Sequence, residues 1–118
     1  EWIGRQLEGL HGAPTIVVIG TIALLFVLLT ELTSNTATAA MAMPIMASLA
    51  PAVGTSPVAL MATAALGSAL GFMLPVGTPP NALAYGTGAV ASGEMAKAGV
   101  WMDAASAVLI TAAVLLWM

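Results

Sequence analysis

The sequence predicts an all-α membrane protein, and three observations carry that prediction. Of its 118 residues, 60% are hydrophobic and only 6% charged, with a mean hydropathy of +1.05, where a soluble domain is about a quarter charged. Between Gly9 and Gly93 the only formally charged side chain is Glu31. Two clusters interrupt the apolar runs without adding other charges: the hydroxyl-rich residues 30–38 and the proline-rich residues 75–81. The lipid bilayer is the expected surrounding.

The same composition excludes other classes. A net charge of −3 provides no basic face to neutralise phosphates, so nucleic acid is not an expected partner. Cysteine is absent, which removes disulfides and thiolate metal sites. His11 alone builds neither a zinc site nor a catalytic triad. Ser34 has no base near it in sequence, so no enzyme is expected. Arg5, the run 16–29 and the small residues 36–40 imitate a secretory signal, but the run is long and further apolar runs follow it. The chain starts at Glu1 rather than Met and stops at Met118 within an apolar run, so a piece of a longer protein is expected.

Residues 1–12 read as an interfacial amphipathic helix. Ile3, Leu7 and Leu10 fall at helical spacing, and Trp2 and Arg5 suit the headgroup region; the frayed end of a preceding span fits as well. Residues 13–50 read as a helical hairpin. Pro14 suits a first turn, and residues 15–32 form an apolar helix close to the minimum length for a span. Ser34 or Asn35 caps the next helix, which is rich in alanine and methionine and carries Pro44 inside it. The short connection predicts that the two arms are antiparallel neighbours. Its tip is either an aqueous turn or a polar site at membrane depth, where exposed backbone must find partners.

Residues 51–57 are a proline- and glycine-rich loop, with Ser56 placed to cap and Pro57 to open the following helix. Residues 58–90 read as a discontinuous transmembrane helix. Gly67, Ser68 and Gly71 form a small-residue patch for close helix contact, and then Pro75, Pro79 and Pro80 forbid helix continuation. An apolar segment broken this way is a signature of transporter helices. Residues 91–98 are expected as a loop and 99–118 as the last transmembrane helix, with Trp101 and Trp117 near its ends and Asp103 near its start.

Each break sets a helix C-terminus, with free carbonyls, beside a helix N-terminus, with free amides. The carbonyl end suits a hard cation such as sodium, and Thr30, Thr33 and Gly77 can offer oxygens. The amide end suits a carboxylate, with Asn35, Thr36 and Thr78 adding side-chain donors. Glu31 either adds attraction for the cation or is a carboxylate hydrogen-bonded near the tip. No Lys or Arg is at hand to neutralise an anion, so coupling to a cation is expected on electrostatic grounds.

Residues 30–38 (TELTSNTAT) followed by residues 72–82 (FMLPVGTPPNA) resemble the divalent anion:sodium symporter family, which includes the INDY-type dicarboxylate carriers. These proteins carry a Ser-Asn-Thr signature in each of two inverted repeats, and the sequence here resembles the C-terminal copy. The resemblance implies an elevator-type transporter whose second inverted repeat comprises a re-entrant helical hairpin, a discontinuous helix and a final transmembrane helix. It implies that Ser34, Asn35, Thr36, Thr78 and Pro79 meet a dicarboxylate substrate. It further implies that Thr30, Thr33, Asn35 and Gly77 hold a sodium ion, mostly through carbonyls. Gly77 departs from the alanine often found in relatives, a change that a carbonyl ligand survives. With one Ser-Asn-Thr present, the N-terminal repeat of the same transporter is the expected partner, together with a homodimer in the full protein. The expected function is therefore the C-terminal part of a secondary transporter that couples sodium to uptake of succinate-, malate- or fumarate-like acids. A small helical subunit with a structural or assembly role is the alternative.

Overall fold

The structure is a computed structural model that describes residues 14–75 and 78–117. The expected interfacial helix at 1–12, with His11, lies outside the described residues, as does Gly77. Within them the chain forms five α-helices and no strand: α1 (Thr15–Thr30), α2 (Asn35–Leu49), α3 (Pro57–Ala69), α4 (Pro79–Gly86) and α5 (Ser92–Trp117).

The centre of the fold is α3, because its side chains are small enough to let helices close in on both sides. Leu60, Thr63 and Ala64 are fully buried, and α3 packs against both α1 and α2. A Cβ on Gly67 would lie 2.9 Å from the Phe26 Cβ and 3.1 Å from the Ala23 carbonyl. The hydroxyls of Thr63 and Ser68 bond back to Ala59 and Ala64 carbonyls, so they enter this apolar contact without unpaired donors. The remaining wall is α5, which lies on α1 and touches α3, bringing Ile110 and Val114 into the shared core.

This packing corrects the expectation that the hairpin arms are close neighbours. α1 and α2 touch each other little, and α3 contacts both extensively. A four-residue connection does force the chain to turn back. It does not force the arms together when a slimmer helix offers closer backbone approach.

Helix lengths differ from the sequence-based ranges as well. α1 ends at Thr30 rather than Leu32, and its 16 residues reach about 24 Å, short of a hydrocarbon core of about 30 Å. α2 and α3, at 15 and 13 residues, are shorter still. Among the described residues α5 alone is long and apolar enough to cross a membrane. It begins at Ser92 rather than 99, with Glu94 in its first turn, where an acid favours helix initiation. Gly93 reads as a loop residue in the sequence, but it is helical. Ser56 precedes α3 as foreseen, but its side chain makes no capping hydrogen bond.

Candidate functional site

The first break is built from the end of α1 and the start of α2. The Leu28 and Leu29 carbonyls accept from the Glu31 and Leu32 amides, and the Thr33 hydroxyl donates to the Leu29 carbonyl at 2.8 Å. The Thr33 and Thr38 hydroxyls share a bond of 2.6 Å. Among the described residues the carbonyls of Thr30 and Thr33 accept no backbone hydrogen bond. On the other side, Ser34 caps α2 by accepting from the Ala37 amide. Thr38 supplies the first α2 amide that reaches a backbone carbonyl, that of Ser34. The amides of Asn35 and Thr36 therefore have no intrahelical acceptor.

Thr30, fully buried, links this tip to α3. Its hydroxyl lies against Asn35 Oδ1 and 2.7 Å from the Ser68 carbonyl, two acceptors for a single hydrogen. Ser68 sits near the end of α3, where no following helical turn supplies an amide, so its carbonyl depends on Thr30. Donation to Ser68, with the Asn35 amide turned to offer Nδ2–H to Thr30, satisfies all three groups, since the two ends of an amide are interchangeable in shape.

The second break leaves α3 at Leu70, whose φ of −120° and ψ of 81° end the helix. The amides of Phe72, Met73 and Leu74 then face no helical carbonyl. All three are taken by carboxylate oxygens: Met73 and Leu74 donate to Glu31 Oε1 and Oε2 at 2.9 and 2.8 Å, and Phe72 donates to Asp103 Oδ1 at 3.0 Å. The side-chain amide of Asn81 closes the segment from the other side, donating 3.0 Å bonds to the Gly71 and Leu74 carbonyls.

The structure thus resolves the two readings of Glu31 in favour of the hydrogen-bonded carboxylate. It also moves Asp103 from a helix start to the interior of α5, where it is 2% exposed. Sequence reasoning missed the pairing of both acids with the second break. The available signal was the rule that an acid in an apolar span needs a named partner.

Free amides at both helix N-termini were expected, and the second break departs from that. Pro79 and Pro80 have no N–H, Asn81 donates to Thr78 Oγ1, and Ala82 donates to the Thr78 carbonyl. Within its first turn α4 therefore presents no free amide, and the Thr78 hydroxyl hydrogen remains as a side-chain donor. Of the two helices that start at the breaks, α2 alone opens with free amides.

Between the two breaks lies a cleft of about 620 Å³, lined by Leu32, Thr33, Ser34, Asn35, Thr36, Pro75, Thr78, Pro79 and Ala82. The structure brings Ser34, Asn35, Thr36, Thr78 and Pro79 onto one wall system. Thr33 joins them, while Thr30 lies beneath Asn35 rather than on the cleft surface. Among the described residues no basic side chain lines this space, so the donors they offer it are neutral amides and hydroxyls.

The comparisons with known proteins agree with one another. Residues 1–118 match the family described as the sodium:sulfate symporter transmembrane region. The sodium-dependent dicarboxylate transporter SdcS of Staphylococcus saprophyticus is 44% identical over 110 residues, covering 93% of this chain and 21% of that protein. SdcS of Staphylococcus aureus (strain USA300) is 46% identical over the same length and with the same coverage. The chain spans about a fifth of the length of the curated relatives it matches.

Proposed function

This chain belongs to the sodium:sulfate symporter family, and from that membership we propose that it is the C-terminal part of a membrane carrier coupling sodium to dicarboxylate uptake. The observation that carries the reading is the cleft that residues 32–36 share with Pro75, Thr78, Pro79 and Ala82. It sets α2 amides without intrahelical acceptors, and the Ser34, Thr36 and Thr78 hydroxyls, where one substrate carboxylate would bind. Pro79 supplies an apolar edge.

A sodium ion would be held by the carbonyls of Thr30 and Thr33, which accept no backbone hydrogen bond among the described residues, and by Asn35 Oδ1, which is free once the amide turns Nδ2 to Thr30. Gly77, outside the described residues, completes the set as the family resemblance implies. Sodium supplies the positive charge that no Lys or Arg supplies in the cleft. That is the physical origin of coupling: a dianion binds weakly to neutral donors until a cation arrives beside it.

α1 and α2 are too short to cross a bilayer, which supports a re-entrant hairpin whose tip stands at membrane depth. In the full protein an N-terminal repeat supplies the rest of the substrate contacts, and the protein works as a homodimer with an elevator-like movement. The division into hairpin (13–50), discontinuous helix (58–90) and final span (99–118, extended here to Ser92) belongs to the same proposal.

The test uses the full-length gene product in proteoliposomes with labelled succinate. An inward sodium gradient is expected to drive accumulation, and potassium is not. Asn35→Ala and Thr36→Ala are each expected to lower uptake at least about tenfold, the scale of one lost charge-assisted hydrogen bond. Wild-type protein that inserts normally but accumulates no succinate with sodium would overturn the proposal in favour of a structural subunit.

A further inference from the structure

The last helix does more than cross the membrane, because its one buried acid reaches into the second break. Phe72, Met73 and Leu74 are consecutive residues outside any helix, and their three amides are taken by two neighbouring carboxylates. Glu31 arrives from the end of α1 and Asp103 from the middle of α5. Asp103 gets there because Gly99, one turn earlier on the same face, has no side chain. A methyl group at Gly99 would overlap the Phe72 carbonyl and the Met73 backbone. α5 therefore docks on the break through its own backbone, and the carboxylate fixes the depth and register of that docking.

The position so fixed is a cleft wall. Leu74 is followed directly by Pro75, which lines the cleft with Thr78 and Pro79. Asn81 ties Gly71 and Leu74 to the start of α4, so a displacement at Phe72 carries through to Thr78. The other acid beside Asp103 is Glu31, which already holds the neighbouring two amides and cannot replace it. We propose that Asp103 is a positioning residue: through the Phe72 amide it holds the second break in the shape that sets Pro75 and Thr78 opposite Asn35. What the cleft binds rests on the carrier reading above; the hold on the break does not.

The experiment compares Asp103→Ala with Asp103→Asn in the full-length protein. Asparagine keeps an oxygen for Phe72 and offers its amide hydrogens to Glu31, whereas alanine leaves the Phe72 amide without an acceptor. Two readouts are taken at equal amounts of inserted protein: sodium-driven succinate uptake in proteoliposomes, and amide hydrogen exchange of peptides covering 70–75. Asp103→Ala is expected to raise the succinate concentration for half-maximal uptake about tenfold and to speed exchange at 70–75 about tenfold or more. The maximal rate should change less than the half-saturation value. Asp103→Asn is expected to return both readouts to within about threefold of wild type, because the hydrogen bond, not the charge, sets the geometry.

If Asp103→Ala does not accumulate, Asp103→Ser takes its place. The serine hydroxyl satisfies itself on the Gly99 carbonyl within the helix and stops short of Phe72. Faster exchange with an unchanged half-saturation value would reduce Asp103 to a brace and overturn the positioning role. Equal damage from Asn and Ala would overturn it too. Wild-type protein without sodium-driven uptake sinks the carrier reading, and unchanged exchange at 70–75 in Asp103→Ala would then overturn the hold on the break separately. Normal wild-type uptake with both readouts unmoved in Asp103→Ala sinks the positioning role alone.

Discussion

Thr30 shows how one hydroxyl decides the chemistry of a tip. In the proposed arrangement its hydrogen goes to the Ser68 carbonyl, which lies beyond the reach of any helical amide, and this leaves the Asn35 oxygen for an ion. Thr30→Val keeps the shape and removes the bond, leaving a buried carbonyl and an amide unpaired. The expected loss is about 1–3 kcal/mol of stability, read as a lower unfolding midpoint of the full-length protein in detergent. A rise in the sodium concentration needed for half-maximal uptake should accompany it. Glu31 has a larger part, since it alone serves two amides. Glu31→Ala is expected to cost about 2–5 kcal/mol, and Glu31→Gln less, because the remaining oxygen still serves one of them. If thermal unfolding puts Glu31→Ala level with wild type, the brace described here is not what holds residues 72–74.

At the scale of elements, two glycines in helices make opposite predictions. Removing a glycine from a helix interior gains up to about 1 kcal/mol of propensity, so Gly→Ala is favourable wherever there is room. A Cβ on Gly20 in α1 meets nothing closer than the Thr111 hydroxyl at 3.7 Å. Gly20→Ala is therefore expected to be neutral or stabilising. A Cβ on Gly67 in α3 meets the Phe26 Cβ at 2.9 Å and the Ala23 carbonyl at 3.1 Å, neither of which can yield without moving α1. There overpacking of about 1–3 kcal/mol outweighs propensity, and Gly67→Ala should lower the unfolding midpoint. The pair measured side by side tests whether α3 is the slim central helix on which the arms close.

At the scale of the whole molecule, the apolar exterior and the polar cleft answer to different solvents. Large side chains such as Val108, Leu109, Leu116 and Trp117 are about two-thirds exposed or more, a surface suited to lipid rather than water. Alkaline carbonate washing is expected to leave the protein in the membrane pellet. On the proposed carrier reading the cleft answers to sodium instead. A ligand that binds the folded state stabilises it by about 2.7 kcal/mol at a hundredfold excess over its Kd. Sodium, but not potassium, should therefore raise the unfolding midpoint of the full-length protein, and Asn35→Ala should abolish the gain. An equal shift by both salts would point to ionic strength rather than a site.

Much of this was legible in the residues themselves. Composition dictated helices in a membrane because nothing else buries so many apolar side chains with so few charges. Prolines and hydroxyl clusters marked both interruptions because each removes or competes for backbone hydrogen bonds locally. The motif around Ser34-Asn35-Thr36 pointed to a family because its chemistry is compact in sequence. Three things waited for the tertiary structure: the insertion of α3 between the hairpin arms, the loss of free amides at Pro79-Pro80, and the capture of residues 72–74 by Glu31 and Asp103. The first depends on contacts such as Gly67 with Phe26 and the third on partners 31 to 43 residues apart, and local pattern is silent about distance of that kind. A carboxylate announces that it needs a donor; only the folded chain decides which donor arrives.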